Sequence, residues 1–197
     1  SALDGQSAGE WSAYTSMTRI SGLLADGHRL WAITSGGLLR YDARERTYSR
    51  FTRLDGLAGN LVTSAAVDSA GDLWFGTDHL GLSRYRTAAQ AFDPAFLDFS
   101  ERNIHALLAS GDRLFVATDR GISTFLIGRE EVKESYRQLG LLPKDTEVRA
   151  LAVFGGRLWA GTDSGIASAD LGSANLQDPD NWTSAASGGV RDFAIHA

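Results

Sequence analysis

The stretch Asp68–Tyr85, DSAGDLWFGTDHLGLSRY, determines the fold of this chain. It opens with a polar turn and continues through the large apolar residues 73–75, which are typical of a buried strand. A second turn over residues 78–81 leads into residues 82–85, where apolar and polar side chains alternate as in a half-buried strand. The stretch therefore predicts a β-hairpin.

Three other segments repeat this hairpin. They are RLWAITSGGLLRY from Arg29, RLFVATDRGISTF from Arg113 and RLWAGTDSGIASA from Arg157. The aromatic residues of the four first hairpin strands are Trp31, Trp74, Phe115 and Trp159, at spacings of 43, 41 and 44 residues. Self-similarity at a period near 42 residues is the signature of a repeat architecture.

Each repeat has two further apolar segments that predict strands. One precedes the hairpin, at Ile20–Ala25, Val62–Val67, Ile104–Ala109, Val148–Val153 and Val190–Ile195. The other follows it, at Tyr48–Phe51, at Phe96–Phe99, around Tyr136 and around Trp182. Helix formers compete over Arg129–Leu139, but the period requires a strand there. Four short antiparallel strands per repeat predict β-propeller blades, and a solenoid of stacked hairpins is the alternative.

The predicted fold is an all-β propeller with four complete four-stranded blades. Their approximate bounds are residues 20–52, 62–99, 104–139 and 148–186. Two partial strands flank them, an outer strand at residues 11–16 and an inner strand at residues 190–196. We expect a segment of a larger ring of seven or eight blades, with a complete four-bladed protein as the alternative. Unpaired terminal blades would expose strand edges and apolar faces, so we expect the isolated chain to self-associate.

Composition narrows the class of partner. The 197 residues carry a net charge of −5, which argues against a nucleic-acid surface. Cysteine is absent, which excludes disulfides and thiolate metal sites. We predict no membrane span, because no apolar run reaches about 18 residues. The pattern indicates no cofactor and no metal.

Residues Asp55–Tyr85 closely resemble the two-component regulator propeller repeat, which runs as D-G-L, an Asn, a short apolar strand, D-x-x-G-x-L-W-x-G-T and G-L with an aromatic. The resemblance extends over nearly the whole chain with departures. Ile33 and Ser35 replace the preferred Gly and Asp, Phe115 replaces Trp, and Ala169 replaces an aromatic residue.

The resemblance implies a bacterial, periplasmic or extracellular propeller. Such propellers form sensor regions of hybrid two-component regulators, so the first hypothesis is a ligand-binding sensory module that recognises a glycan or another polar ligand. The second is a protein-interaction scaffold of a surface or secretion-system protein. The third is a propeller enzyme such as a lyase or glycosidase, although the sequence offers no nucleophile with a base partner.

Two groups of polar residues are candidate ligand contacts. The first group follows the aspartates of the second hairpin turns, Asp78, Asp119 and Asp163, here called the turn aspartates. A ring of carboxylates could bind a cation or sugar hydroxyls, but their repetition favours a structural role in which Asp accepts hydrogen bonds from its own turn. The residues after them vary and are better ligand candidates, with plain surface as the alternative: His79, Arg120 and Ser164.

The second group occupies the second position of the first strands: His105, Arg149 and Arg191. The loops that lead into these strands, at residues 53–60, 100–103 and 140–147, lie on the same side of a propeller as the turn aspartates. We therefore predict a polar channel mouth, which is a usual binding place in this architecture. Salt bridges to neighbouring blades are the structural alternative for the arginines.

Overall fold

The computed structural model describes residues 15–99, 103–173 and 175–194. In these residues the chain forms sixteen strands in four sheets. Blade 1 consists of β1 (Ile20–Asp26), β2 (Arg29–Thr34), β3 (Gly37–Asp42) and β4 (Thr47–Phe51). Blade 2 consists of β5 (Val62–Val67), β6 (Leu73–Thr77), β7 (Leu82–Arg86) and β8 (Ala91–Phe92). Blade 3 consists of β9 (Ile104–Ser110), β10 (Arg113–Thr118), β11 (Gly121–Leu126) and β12 (Glu131–Tyr136). Blade 4 consists of β13 (Val148–Phe154), β14 (Arg157–Thr162), β15 (Gly165–Asp170) and β16 (Trp182–Ala186).

Each blade is an antiparallel sheet whose strands pair in chain order. The first strands lie side by side, with β5 next to both β1 and β9, and β9 next to β13. Two 3-10 turns, Arg53–Asp55 and Pro179–Asn181, complete the described structure. The arrangement confirms the predicted all-β propeller of four-stranded blades.

The core lies between the blades rather than within one. Trp31 of blade 1 packs on Tyr85 of blade 2 with ring centroids 4.9 Å apart. Trp74 of blade 2 packs on Phe125 of blade 3 at 5.5 Å. Phe115 of blade 3 is buried in a cluster with apolar residues of blade 4. Each blade thus buries its apolar faces only against its neighbours.

A repeated threonine and glycine fix the second hairpin turn of every blade. The threonine Oγ1 donates to the glycine carbonyl in the pairs Thr34–Gly37, Thr77–Gly81, Thr118–Gly121 and Thr162–Gly165. All four glycines have positive φ, and a Cβ on any of them would lie 2.2 Å from a carbonyl oxygen of the segment that follows the third strand. Glycine is required at this position because any side chain would clash with that carbonyl oxygen and because φ is positive.

The D-x-x-G-D sequence at residues 68–72 forms the first hairpin turn of blade 2. Asp68 is 6% exposed and accepts hydrogen bonds from the amides of Ala70 and Asp72. Its second oxygen accepts from Trp74 Nε1 at 2.9 Å. Arg84 lies over the Trp74 ring at 5.0 Å and donates to Asp72 at 2.9 Å. The carboxylates therefore connect the turn to the buried tryptophan.

Two strand predictions have different outcomes. The strand predicted within residues 129–139 is confirmed as β12. The outer strand of blade 2 is not at Phe96–Phe99 as predicted, because β8 lies at residues 91–92 and Phe96 forms only an isolated bridge with Leu82. Pro94 separates the two contacts, since it has no amide hydrogen to continue the ladder.

The predicted partial strands are not observed as strands. Residues 11–14 lie outside the described residues, and Thr15 and Ser16 have no strand pairing. Residues 190–194 also form no strand: Val190 N donates to Thr162 O, and Phe193 N donates to the side chain of Asp192 rather than to a neighbouring strand. Residues 195–196 of the predicted inner strand lie outside the described residues. Val190 nevertheless packs against Gly161 as Ile104 packs against Gly76. It therefore lies where the first strand of a following blade would begin.

Candidate functional site at the channel mouth

A polar cavity of about 270 Å³ lies among the inner strands. Its walls come from β5, β9 and β13 and from residues 191–192. Small residues at the third strand position create the space: Ser64, Ala106 and Ala150. The predicted residues His105, Arg149 and Arg191 also line it. The structure thus brings three of the six candidate ligand contacts together.

An ion network occupies the boundary between blades 3 and 4 at this mouth. His105 Nε2 lies 2.6 Å from Glu147 Oε1, without hydrogen-bond alignment. Arg149 donates to Glu147 at 2.9 Å and to Asp163 at 2.6 Å. The salt-bridge interpretation therefore applies to Arg149, but its partners belong to its own blade. Arg191 is exposed at the edge of the cavity.

The network shifts the protonation of its members. Burial, together with the charge of Arg149, lowers the pKa of His105, and the three turn aspartates oppose this shift. Burial and a hydrogen bond with Asp163 raise the pKa of Glu147. Hydrogen bonds from Arg149 and with Glu147 lower the pKa of Asp163. One proton can therefore be shared between the two carboxyl groups, with Arg149 stabilising the charged form of Asp163.

The turn aspartates do not cap their own turns, which corrects the structural role assigned to them. Threonine takes that role, since Thr34, Thr118 and Thr162 accept hydrogen bonds from the turn amides two residues later. Asp163 instead binds Arg149, and Asp119 Oδ1 is buried without a hydrogen-bond partner among the described residues. The charges of all three carboxylates act to raise the pKa of His105, although none of the three lines the cavity. Within the described residues, they form no group positioned to hold a metal ion.

The other three candidate contacts lie on the second hairpin turns, outside the cavity lining. His79 is exposed, contacts Asp78 and has a left-handed φ of 57° because this turn is one residue longer than the other three. Arg120 is exposed, and its charge contributes to lowering the pKa of Asp145. Ser164 Oγ lies 3.4 Å from Thr146 Oγ1. A role for these residues in ligand binding stays a prediction.

Sequence reasoning missed Glu147 as a member of this site. It follows a loop and precedes β13 by one residue, and nothing in its local pattern differs from a solvated loop carboxylate. Only the packing of blade 4 on blade 3 brings it to His105. Its position two residues before Arg149 is the one available signal, since alternate residues of an extended segment share a side.

Two family models match the chain. The N-terminal β-propeller domain of PorZ, a type IX secretion protein, matches residues 96–183. The two-component regulator propeller matches residues 56–79, within the stretch that carries the resemblance. The chain carries the two-component regulator propeller repeat. The family prediction from the sequence is therefore confirmed.

Solved structures show the same fold in longer proteins. PorZ, an essential bacterial surface component of the type IX secretion system of Porphyromonas gingivalis, is 19% identical with a TM-score of 0.74, over 90% of this chain and 24% of PorZ. The extracellular domain of the putative one-component system BT4673 from B. thetaiotaomicron is 21% identical with a TM-score of 0.67, over 89% of this chain and 23% of that domain. The computationally designed Ika4 protein is 15% identical with a TM-score of 0.64, over 84% of this chain and all of Ika4.

This chain therefore spans about a quarter of the two natural proteins that it resembles. No curated protein matches its sequence. None of the helices in the described part of the chain has the length and apolar content that crossing a membrane requires.

Proposed function

We propose that this chain is a protein-interaction module of an extracytoplasmic bacterial protein, of the kind found in secretion-associated surface proteins. The observation that carries the proposal is the match of the PorZ N-terminal propeller to residues 96–183. That span contains the boundary between blades 3 and 4 and the network of His105, Glu147, Arg149 and Asp163. The match to the sensor repeat is shorter, at residues 56–79.

The geometry of the mouth supports an interaction module over a small-molecule receptor. Arg149, which lines the cavity, already binds two carboxylates of its own blade. The cavity of about 270 Å³ lies just below the usual range of ligand pockets, about 300–1,000 Å³. A ligand would have to displace these ion pairs, whereas a protein partner can use the rim of the mouth without breaking them. PorZ is a bacterial surface component, which is consistent with this role and with a periplasmic or extracellular location.

A sensory module that binds a polar ligand such as a glycan is the second candidate. The repeat match at residues 56–79 and the likeness to the BT4673 extracellular domain favour it. In that case His105, Arg149 and Arg191 would contact the ligand, because all three line the cavity. A glycan array with the wild-type chain and an Arg149→Ala, Arg191→Ala variant tests this candidate. Binding that the variant retains would exclude the mouth as the site.

We also propose that the role is non-catalytic. Glu147 and Asp163 are the nearest approach to an acid–base pair in the mouth, because their pKa values are shifted in opposite directions. However, Arg149 donates to one oxygen of each carboxylate, which is the arrangement of a structural ion pair.

Deletion of the gene segment that encodes this chain in its host bacterium tests the proposal. We expect the amounts of proteins at the cell surface and in the medium to fall while their transcript levels stay unchanged, because the module acts on protein assembly. A sensor would instead change transcript levels. Mass spectrometry of the surface and secreted fractions, compared with RNA sequencing of the same cultures, separates the two. Unchanged surface and secreted fractions would overturn the interaction module.

A further inference from the structure

The outer edge of blade 4 differs from the outer edges of the other three blades. Exposed strand edges are templates for pairing with another chain, and proteins protect them with charged residues, prolines or very short strands. The outer strand β4 contains Arg50, and β12 contains Glu131 and Lys133. The outer strand β8 has only two residues and ends before Asp93 and Pro94.

The outer strand β16 has none of these protections. Its sequence, WTSAA, carries no charge and no proline, and it continues into the uncharged residues 187–189. The residues after Trp182 are small, and Thr183, Ala185 and Ala186 are exposed. Small side chains along an edge leave room for the larger side chains of an added strand.

The backbone of β16 presents hydrogen-bonding groups at this edge. Ser187 N donates to Ser164 O at 3.2 Å, on the side where β15 lies. Alternate residues of an antiparallel strand turn their N–H and C=O groups to opposite sides, so Ala185 faces β15 while Ser184 and Ala186 face outward. β16 is the last strand of its sheet, and no strand pairs with its outward groups among the described residues.

An exposed apolar side chain lies beside the same edge. Leu141, in the loop that joins blades 3 and 4, is 96% exposed. Its amide donates to Ser184 Oγ at 2.9 Å, which holds the leucine next to β16. The loop lies between two adjacent blades of the described structure, so both of its neighbouring blades are already in place.

We propose that the edge of β16, together with Leu141, binds an extended segment of a partner protein, which adds a fifth strand to blade 4. The outward N–H and C=O groups of Ser184 and Ala186 require an extended backbone in the partner. Leu141 requires an apolar side chain in it, and the uncharged edge favours an uncharged segment. This inference rests on the proposed interaction function, for which it names a surface and a class of partner.

Titration with a synthetic peptide tests the proposal. The probe is an acetylated and amidated hexapeptide of alternating valine and threonine with a fluorescent label, and its control carries a methyl group on every backbone nitrogen. We expect fluorescence anisotropy to show saturable binding of the probe and no binding of the methylated peptide. Amide hydrogen exchange at Ser184 and Ala186 should slow when the probe binds, while exchange at Thr183 and Ala185, which already pair with β15, should not change.

Two substitutions test the two parts of the surface. Ala186→Pro should raise the dissociation constant more than about tenfold, because proline removes an outward N–H and its ring occupies the place of the added strand. Gly188→Pro, two residues beyond β16, is the matched control and should bind as the wild type does. Leu141→Ser should also weaken binding, whereas Leu54→Ser, at a 61% exposed position in the turn at residues 53–55, should not.

The exposed Leu141 keeps the test decisive if Ala186→Pro fails to fold. No binding of the probe, binding of the methylated peptide, or equal affinities of Leu141→Ser and Leu54→Ser would overturn the proposal. Self-association of the chain that Ala186→Pro abolishes would make a second copy the occupant and would also overturn it. The titration does not use the phenotype of the host, so its failure is distinguishable from failure of the proposed function in the deletion experiment.

Discussion

Blades 2 and 4 contain nearly the same hairpin in different surroundings. Trp74 and Trp159 occupy the same position of the second strand and are followed by the same Gly-Thr-Asp sequence after one residue. Trp74 is fully buried between blades 2 and 3, whereas Trp159 is partly exposed, because within the described residues no blade packs on the Trp159 side of blade 4. The comparison indicates that the neighbouring blade, rather than the hairpin itself, supplies most of the stabilisation.

The polar contacts of the two tryptophans differ as well. The ring nitrogen of Trp74 donates to the buried carboxylate of Asp68, and that of Trp159 donates to a backbone carbonyl. Blade 4 replaces the aspartate-containing turn with Gly155 and Gly156, both at positive φ. The same strand can therefore be joined by either turn, but only the turn of blade 2 ties the tryptophan to a carboxylate.

The largest expected effect comes from truncating the two tryptophans. Trp74→Ala should lower the free energy of unfolding by about 3–5 kcal/mol, since it leaves a cavity between two packed blades. Trp159→Ala should cost less than half as much, because one side of its ring has no neighbouring blade to lose. Urea titration of both variants at a concentration where the chain is monomeric measures the difference. Equal losses would contradict the conclusion that the neighbouring blade supplies most of the stabilisation.

A smaller effect is expected at the aspartate that distinguishes the two turns. Asp68→Asn should cost about 2–3 kcal/mol, because the amide cannot accept all the hydrogen bonds from Trp74 and the turn and leaves Arg84 less well paired. Asp112→Asn is the matched control in the turn of blade 3, where the exposed Asp112 accepts one bond from Gly128. It should cost less than about 1 kcal/mol. Similar losses in urea titration would contradict the role assigned to the buried carboxylate.

The sequence predicted the parts of this structure that depend on local pattern. The period of the aromatic residues predicted four blades. The alternation over residues 82–85 predicted a half-buried strand, which is wrong: Leu82–Tyr85 are all buried, because blade 2 packs between blades 1 and 3. β8 lies before Pro94 rather than at Phe96–Phe99. This proline is a local signal that the prediction did not use. The role of the turn aspartates was predicted wrongly because Thr and Asp compete for the same turn amides, and in the structure threonine accepts from them. The network with Glu147 could not be predicted, since its members come from two blades.

The smallest expected effect is a pH dependence at an interior tyrosine. Tyr136 is buried between blades 3 and 4, 5.8 Å from the Trp182 ring, and its hydroxyl donates to Glu134 at 2.9 Å. Burial raises its pKa from 10.0 to about 12. The folded state therefore holds this proton more tightly than the unfolded state, so the contribution is present below pH 10 and is lost as the pH rises toward 12. By pH 11 the wild type should have lost about 1.4 kcal/mol more of its stability than Tyr136→Phe, relative to pH 9.

Tyr48→Phe, which alters a 68% exposed tyrosine of blade 1, should keep the wild-type pH dependence. Urea titrations of the three chains at both pH values measure these slopes, and parallel slopes for the wild type and Tyr136→Phe would mean that Tyr136 is accessible to solvent at the blade boundary.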